Sequence, residues 1–261
     1  MVKTKILVAT HKKFAMPEDK GLYLPVLVGA VRNYRASIEY QRDDFGDNIS
    51  NKNPNYNELT AMYWAWKNLS GVEAIGLVHY RRYFFDGYMK NGLKNVLSMD
   101  EVDRLLQKKS LVVPYKRHYY IETNYSHYVH AHHSLPLIEL RKIIAQRNPA
   151  YLSSFDRVMS RRSAHMFNMF IMRKKLFDAY CGWLFGLLQT LENTIDISNY
   201  SVQEKRVFGY LAELLLDVWI DQNNISYEEV PWNQLGPKHL GSKAYHFMLR
   251  KFGKDEKTHF E

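Results

Sequence analysis

The residues in this chain best suited to chemistry are His79-Tyr80-Arg81-Arg82, which follow directly on the apolar run Ile75-Gly76-Leu77-Val78. Such a run has the length and β-branched content of a strand buried on both faces. In open α/β sheets ligands sit beyond the carboxyl ends of the strands. Two guanidinium groups, an imidazole and a phenol at that position are fitted to phosphate, because arginine stays ionised and forms two parallel charge-assisted bonds. If the strand persists, Arg81 and Arg82 point to opposite faces and one of them addresses a given ligand. An arginine paired with a carboxylate at a strand end is the structural alternative.

Three further groups could act with it. Asn168 lies in the apolar stretch Phe167–Met172, where an amide must bond backbone or meet a ligand, and His165 precedes it by three residues. Glu213 lies in GYLAELLLDVWI; buried among leucines it would have the raised pKa of a general base. The competing reading is a solvated helix face, with Asp217 one turn on. The segment HYYIETNYSHYVHAHH carries five histidines in 16 residues, His118, His127, His130, His132 and His133. It lacks H-x-x-x-H with an adjacent Glu and any nearby cysteine, so it reads as a polar or sugar-facing loop and not as a metal site.

The elements that must position these groups follow from periodicity and punctuation. Lys5–His11 reads as a first strand ending in Thr10-His11, and Pro25–Ala30 as a second apolar piece. Gln41–Asn57 is a long polar loop. Asn57 is expected to cap a helix over Glu58–Leu69, with Leu59, Met62, Tyr63, Trp66 and Leu69 as its buried stripe. Ser98 to Glu101 is a capping box opening a helix to Lys108. Leu111–Pro114 is a strand, and Pro136 and Pro149 mark the starts of two helices. Amphipathic helices are expected over Leu176–Leu191 and Val202–Asp221, and a closing strand over Ser226–Val230.

The chain has 261 residues and a net charge of +9, which points to anionic partners: nucleic acid, a ligand's phosphates or a membrane surface. Basic residues are spread along it without a nucleic-acid recognition motif, which disfavours nucleic acid. One cysteine, Cys181, excludes an internal disulfide framework and agrees with a reducing compartment. No secretory signal and no run of ~18 apolar residues is evident, so a soluble cytoplasmic protein is expected. No domain boundary stands out before residue 236. The segment 237–261 reads as a basic amphipathic tail able to seat the protein on the inner face of the cell membrane. Walker A, dinucleotide-binding, nucleophile-elbow and zinc-protease motifs are absent, as is Asp-x-Asp.

Taken together, ATHKKF (Ala9–Phe14), GDNIS (Gly46–Ser50), NPNYNELTAMYWAWKN (Asn53–Asn68), GLVHYRRYF (Gly76–Phe84) and HMFNMFIM (His165–Met172) resemble a bacterial glycosyltransferase family. Its members are encoded among capsular and exopolysaccharide genes and were long labelled a domain of unknown function. The resemblance implies a GT-A-like, Rossmann-like α/β sandwich in one domain, with a mixed central sheet flanked by helices. It implies transfer of a hexose, galactose in pyranose or furanose form, from a UDP-sugar to a polyprenyl-diphosphate-linked oligosaccharide.

By the same mapping Thr10 and His11 border the base. Asp47, Asn48 and Ser50 hold ribose or diphosphate, with Glu58, His79, Tyr80, Arg81 and Arg82 completing the donor site. His165, Asn168 and His130 face the sugar or acceptor, and Glu213 is the general base. Where the wider GT-A pattern places a metal-binding Asp-x-Asp, this chain has His79-Tyr80-Arg81. The expectation is therefore a cation, Arg81 or Arg82, in place of a metal, with no cofactor required and Mn or Mg left open. A sugar-nucleotide-binding protein without turnover is the alternative.

Overall fold

A computed structural model describes residues 2–87 and 92–235. The basic tail expected over 237–261 lies outside the described residues. The chain begins with β1 (Thr4–Thr10) and β2 (Tyr23–Leu27), a short α1 (Ala30–Asn33), β3 (Gln41–Arg42), α2 (Asn53–Tyr56) and α3 (Leu59–Asn68). Then come β4 (Ala74–His79), β5 (Arg82–Phe84), α4 (Met99–Lys108), β6 (Leu111–Pro114) and β7 (Arg117–His118). α5 (Asn124–Ala131), α6 (Leu135–Arg147) and α7 (Leu152–Ser160) precede β8 (Ser163–Ala164) and β9 (Phe170–Arg173). α8 (Lys174–Glu192), α9 (Val207–Gln222), β10 (Glu228–Val230) and β11 (Trp232–Gln234) complete the described part.

The main sheet runs β10-β6-β9-β4-β1-β2-β3. β4, β1, β2 and β3 are mutually parallel, β10 is parallel to β6, and β9 lies antiparallel between β4 and β6. The antiparallel β9 delivers its entry turn to the edge where β1, β4 and β6 present their carboxyl ends. Gly76 makes the tight fit possible, since a Cβ there would lie 3.0 Å from Ile6 and 3.1 Å from the Phe170 carbonyl.

Side-chain alternation along β1 builds a core on each face of the sheet. Leu7 and Ala9 pack with α3, α6, α8 and α9, while Ile6 and Val8 pack with Tyr83, Phe84, Phe85 and α4. Aromatic residues supply much of this core: Tyr83 and Tyr180 are among the largest fully buried side chains.

Several local expectations are corrected. The chain turns at Tyr80-Arg81 and β5 folds back antiparallel on β4, so strand alternation does not set the arginines' directions. Asn57 does not cap α3: it ends α2 with φ 51°, and its Oδ1 accepts from Arg206 Nε at 3.1 Å. Much of the histidine-rich segment is helix, because Thr123 and Ser126 form a capping box that starts α5. The capping box at Ser98 and Glu101 forms as expected.

Candidate functional site

The site is organised by the turn that feeds β9. Phe167 and Asn168 both have left-handed backbones, φ 74° and 53°. Asparagine tolerates this conformation and phenylalanine does so only under constraint. The constraint is visible on every side of the turn. Asn168 Nδ2 donates to Glu58 Oε1 at 2.6 Å and to the Gly209 carbonyl at 3.1 Å. The Phe167 carbonyl accepts from His79 Nε2 at 2.5 Å, and the Phe167 N–H donates to the Glu213 carboxylate. The Phe167 ring lies under the Arg82 guanidinium (4.5 Å) and against Trp232. Gly209 also lets Asn57 pack against α9, since a Cβ there would lie 2.4 Å from Asn57 Nδ2. Asn168 thus belongs to a turn before the strand, not to the strand itself.

Around the turn, charge is concentrated. Burial and then the Glu58 carboxylate push the Glu213 carboxyl up to about 7, against the pull of the Phe167 amide, Arg82 and Arg117. Burial lowers the Arg82 pKa while Glu213 and Glu58 support its charge. Its Nε is a buried donor without a hydrogen-bond partner among the described residues. Burial also lowers His79, helped by Arg82 and opposed by Glu58. Because a carbonyl only accepts, His79 Nε2 must carry the proton in its bond to Phe167. Glu213, Arg82, Arg81, Tyr80 and Tyr119 are half-buried, so the recess they line remains open to solvent. A base near neutrality beside an under-satisfied guanidinium can take a proton from a hydroxyl while an anion forms nearby.

The residues expected to form the donor site separate into two groups. Glu58, His79, Tyr80, Arg81 and Arg82 meet at the sheet edge, with Arg81 over the Tyr80 ring at 5.0 Å. His11 joins them edge-on to Tyr80 at 5.4 Å, while Thr10 is buried and donates to the Lys12 carbonyl. Asp47 and Asn48 are elsewhere, a correction to the expected grouping. Asp47 exchanges hydrogen bonds with Asn68 at the far end of α3. At 1.5 Å per residue that is about 15 Å along the helix from Glu58. Asn48 donates to the Asp44 and Gly46 carbonyls. Ser50 is buried and its hydroxyl is committed to Asp43 at 2.5 Å. Asp43 also accepts from Gly29 N, Ala30 N and Thr60 Oγ1, so it ties β2, the polar loop and α3 together.

His165 likewise forms a wall. It is 1% exposed, its Nδ1 and backbone N–H meet Asp217, and its Nε2 lies 3.1 Å from Glu229. Asp217 is therefore buried, not on a solvated helix face. His130 is exposed on α5, where it and His127 bond Glu122. Against burial, these two bonds lower the Glu122 pKa. Among the described residues no group of three or more His, Cys, Asp or Glu side chains is placed to hold a metal.

Arg117 and Tyr119 were not anticipated. Arg117 acts on Glu213, and burial raises the Tyr119 phenol with Glu213 contributing. A signal existed: Val113-Pro114-Tyr115-Lys116-Arg117 repeats the pattern Val78-His79-Tyr80-Arg81-Arg82 at the end of a neighbouring strand.

Comparison with known proteins bears on this edge. The family model described as "Domain of unknown function (DUF4422)" matches residues 5–224. No curated protein matches. Among solved structures, the apo structure of WbbM, described as a bifunctional glycosyltransferase, matches with a TM-score of 0.80 and 28% identity. The match covers 90% of this chain and 46% of that one, so this chain spans less than half the length of that relative. The fold is the one expected: α/β and GT-A-like, with a mixed central sheet flanked by helices.

Proposed function

The chain belongs to the DUF4422 family, and from that premise we propose that it is a nucleotide-sugar-dependent hexosyltransferase. It moves galactose, as pyranose or furanose, from a UDP-sugar to a polyprenyl-diphosphate-linked oligosaccharide in capsular or exopolysaccharide synthesis. It works in the cytoplasm at the inner face of the membrane. The observation that carries this reading is the meeting of half-buried Glu213 and Arg82 at the carboxyl ends of β1 and β4, where burial and Glu58 push the Glu213 carboxyl up to about 7. The likeness to a solved glycosyltransferase supports the class of reaction.

In the proposed step an acceptor hydroxyl attacks the anomeric carbon as Glu213 takes its proton. The bond from that carbon to the diphosphate oxygen breaks, and its electron pair leaves with UDP. Arg82, with Arg81 at the rim, meets the charge that develops on the diphosphate. Fixed cations aimed at such charge are a large catalytic term. No metal is needed in this scheme. His11 and Tyr80 border the base, Glu58 and Asn168 hold the turn that aims Glu213, and His165 supports the wall behind it.

The test is Glu213→Gln, which keeps the acceptor of the Phe167 amide and removes the base. UDP release should fall about 10³-fold or more, at the upper part of the range for general-base removal, while UDP still raises the melting temperature. Turnover near that of the unaltered protein removes Glu213 from its role. UDP-sugar binding with no turnover on any lipid-diphosphate acceptor favours a binding protein instead. Activity should persist in EDTA; loss there with recovery in Mn²⁺ sinks the metal-free scheme.

A further inference from the structure

Beside the recess the chain builds a rigid tip that points apolar groups at water. Tyr120 is 81% exposed, Ile121 71% and Tyr125 44%. Exposed apolar groups gathered in one place usually mark an interaction surface. This tip is held out by its surroundings. β7 pairs with β8 through Arg117 and Ala164 and through His118 and Ser163. The Tyr119 N–H donates to the Arg162 carbonyl at 2.8 Å, and Arg162 Nη1 donates to the Tyr120 carbonyl at 3.3 Å. Asn124, at the start of α5, donates to the Val158 and Ser163 carbonyls. Tyr120 itself has φ 59°, a backbone held at a cost for a non-glycine residue.

The charges around the tip identify what covers it. Arg117, His118 and Arg162 are exposed beside the apolar groups. The nearby acids are already matched, Glu122 by His127 and His130 and Asp221 by Arg157 and Arg161. The surface therefore offers aromatic and aliphatic groups beside two exposed arginines and a histidine. That is the chemistry of an anionic bilayer interface, where Tyr sits at headgroup level and each nearby Lys or Arg adds to the attraction. Among the described residues no helix is long and apolar enough to cross a membrane, so contact through this tip would be peripheral.

We infer that the tip formed by Arg117, His118, Tyr120, Ile121, Tyr125 and Arg162 is a docking lip for an anionic phospholipid surface. The lip adjoins the recess: β7 follows β6 at the same sheet edge, β8 runs into the His165–Asn168 turn, and Arg117 acts on Glu213. Docking would hold the recess against the headgroups, where a lipid-linked sugar presents itself; in this it rests on the acceptor proposed above. It assigns membrane contact to residues 117–162, independently of the tail.

The experiment is co-sedimentation of the full chain with phosphatidylcholine vesicles, with and without phosphatidylglycerol. Vesicles containing phosphatidylglycerol should retain the protein at low salt. The double variant Tyr120→Asn, Ile121→Ser should bind at least about tenfold more weakly, since both apolar groups leave the interface. Arg162→Gln should cost about fivefold, an effect that salt erases. Melting temperature and turnover on a soluble acceptor analogue should not change in the double variant. The inference is overturned if the unaltered protein ignores anionic vesicles, or if the double variant binds them equally well. It is also overturned if the tip mediates self-association without vesicle affinity. Vesicle binding by a protein that turns over no UDP-sugar would discard the transferase reading and keep the lip; turnover without vesicle affinity would do the reverse.

Discussion

Glu213 and Asp217 project from α9 one turn apart, both set among leucines, and the protein treats them in opposite ways. Asp217 accepts the backbone N–H of His165 at 3.0 Å and faces the ring nitrogen of the same residue, with 4% exposure. Glu213 accepts one backbone amide, and burial together with the facing Glu58 carboxylate pushes its pKa up to about 7. One carboxylate is matched to its surroundings and holds the α9–β8 junction. Its neighbour is mismatched, and the mismatch is what suits it to exchange a proton. The shared leucine setting does not separate the two; their partners do.

The largest expected effect tests the matched member. Asp217→Ala strands His165 against Glu229 in a buried setting and should cost about 3–5 kcal/mol, the range for breaking a buried pair. Denaturant melts at pH 7 measure it. A loss below about 1 kcal/mol would erase the contrast. Glu213→Gln should behave in the opposite way. The folded-state pKa of Glu213 is raised from 4.5 to about 7, so its protonated form is the favoured folded form. Stability associated with that proton is complete below 4.5 and is lost as pH rises through about 7. The glutamine variant should match the unaltered protein near pH 4 and exceed it above pH 7, by at most about 3 kcal/mol. A variant less stable at pH 8 would show that Glu213 is paired after all.

The same titration should appear in catalysis. As a base Glu213 must be ionised, so kcat/KM should climb about tenfold per pH unit below 7 and level off above it. A flat profile from pH 5 to 8 would assign the proton transfer to another group.

Legibility in the sequence followed the range of the interactions. Elements set by neighbours in the chain were readable: the capping box at Ser98 and Glu101, the apolar run of β4, and the stripe of α8. The sheet edge was readable too, because His79–Arg82 announces itself by a sudden change of polarity. Asp43 and Asp217 were not readable as site-builders. Asp43 reaches Gly29 and Thr60, and Asp217 reaches His165 across more than fifty residues, so no local pattern marks them. For Asp217 one clue was available. From Leu214 to Ile220 every residue but Asp217 is apolar, the pattern of a helix buried all round, so a carboxylate there had no solvated face to occupy. Asp47 and Asn48 show the converse: the Asp47 backbone is paired with Asn68 and the Asn48 side chain with local carbonyls, a placement away from the sheet edge that polar composition does not reveal.

The smallest effect probes how the mismatch is built. If the left-handed turn aims the Phe167 amide at Glu213, backbone conformation at Asn168 should matter separately from its side chain. Both Asn168→Gly and Asn168→Ala remove the amide bond to Glu58, costing about 1.5–3 kcal/mol as a bond to a charged group. Glycine accepts φ 53° freely. Alanine does not, and should be less stable than glycine by a further ~1 kcal/mol. The glycine variant should therefore keep the pH–rate midpoint near 7, because the Phe167 N–H still reaches Glu213. In the alanine variant the turn relaxes, that amide is lost, and the midpoint should move upward, since the amide is one of the groups holding the Glu213 pKa down. Equal stabilities and equal midpoints in the two variants would mean that the turn is a passive consequence of packing, and that burial and Glu58 set the difference between Glu213 and Asp217 without it.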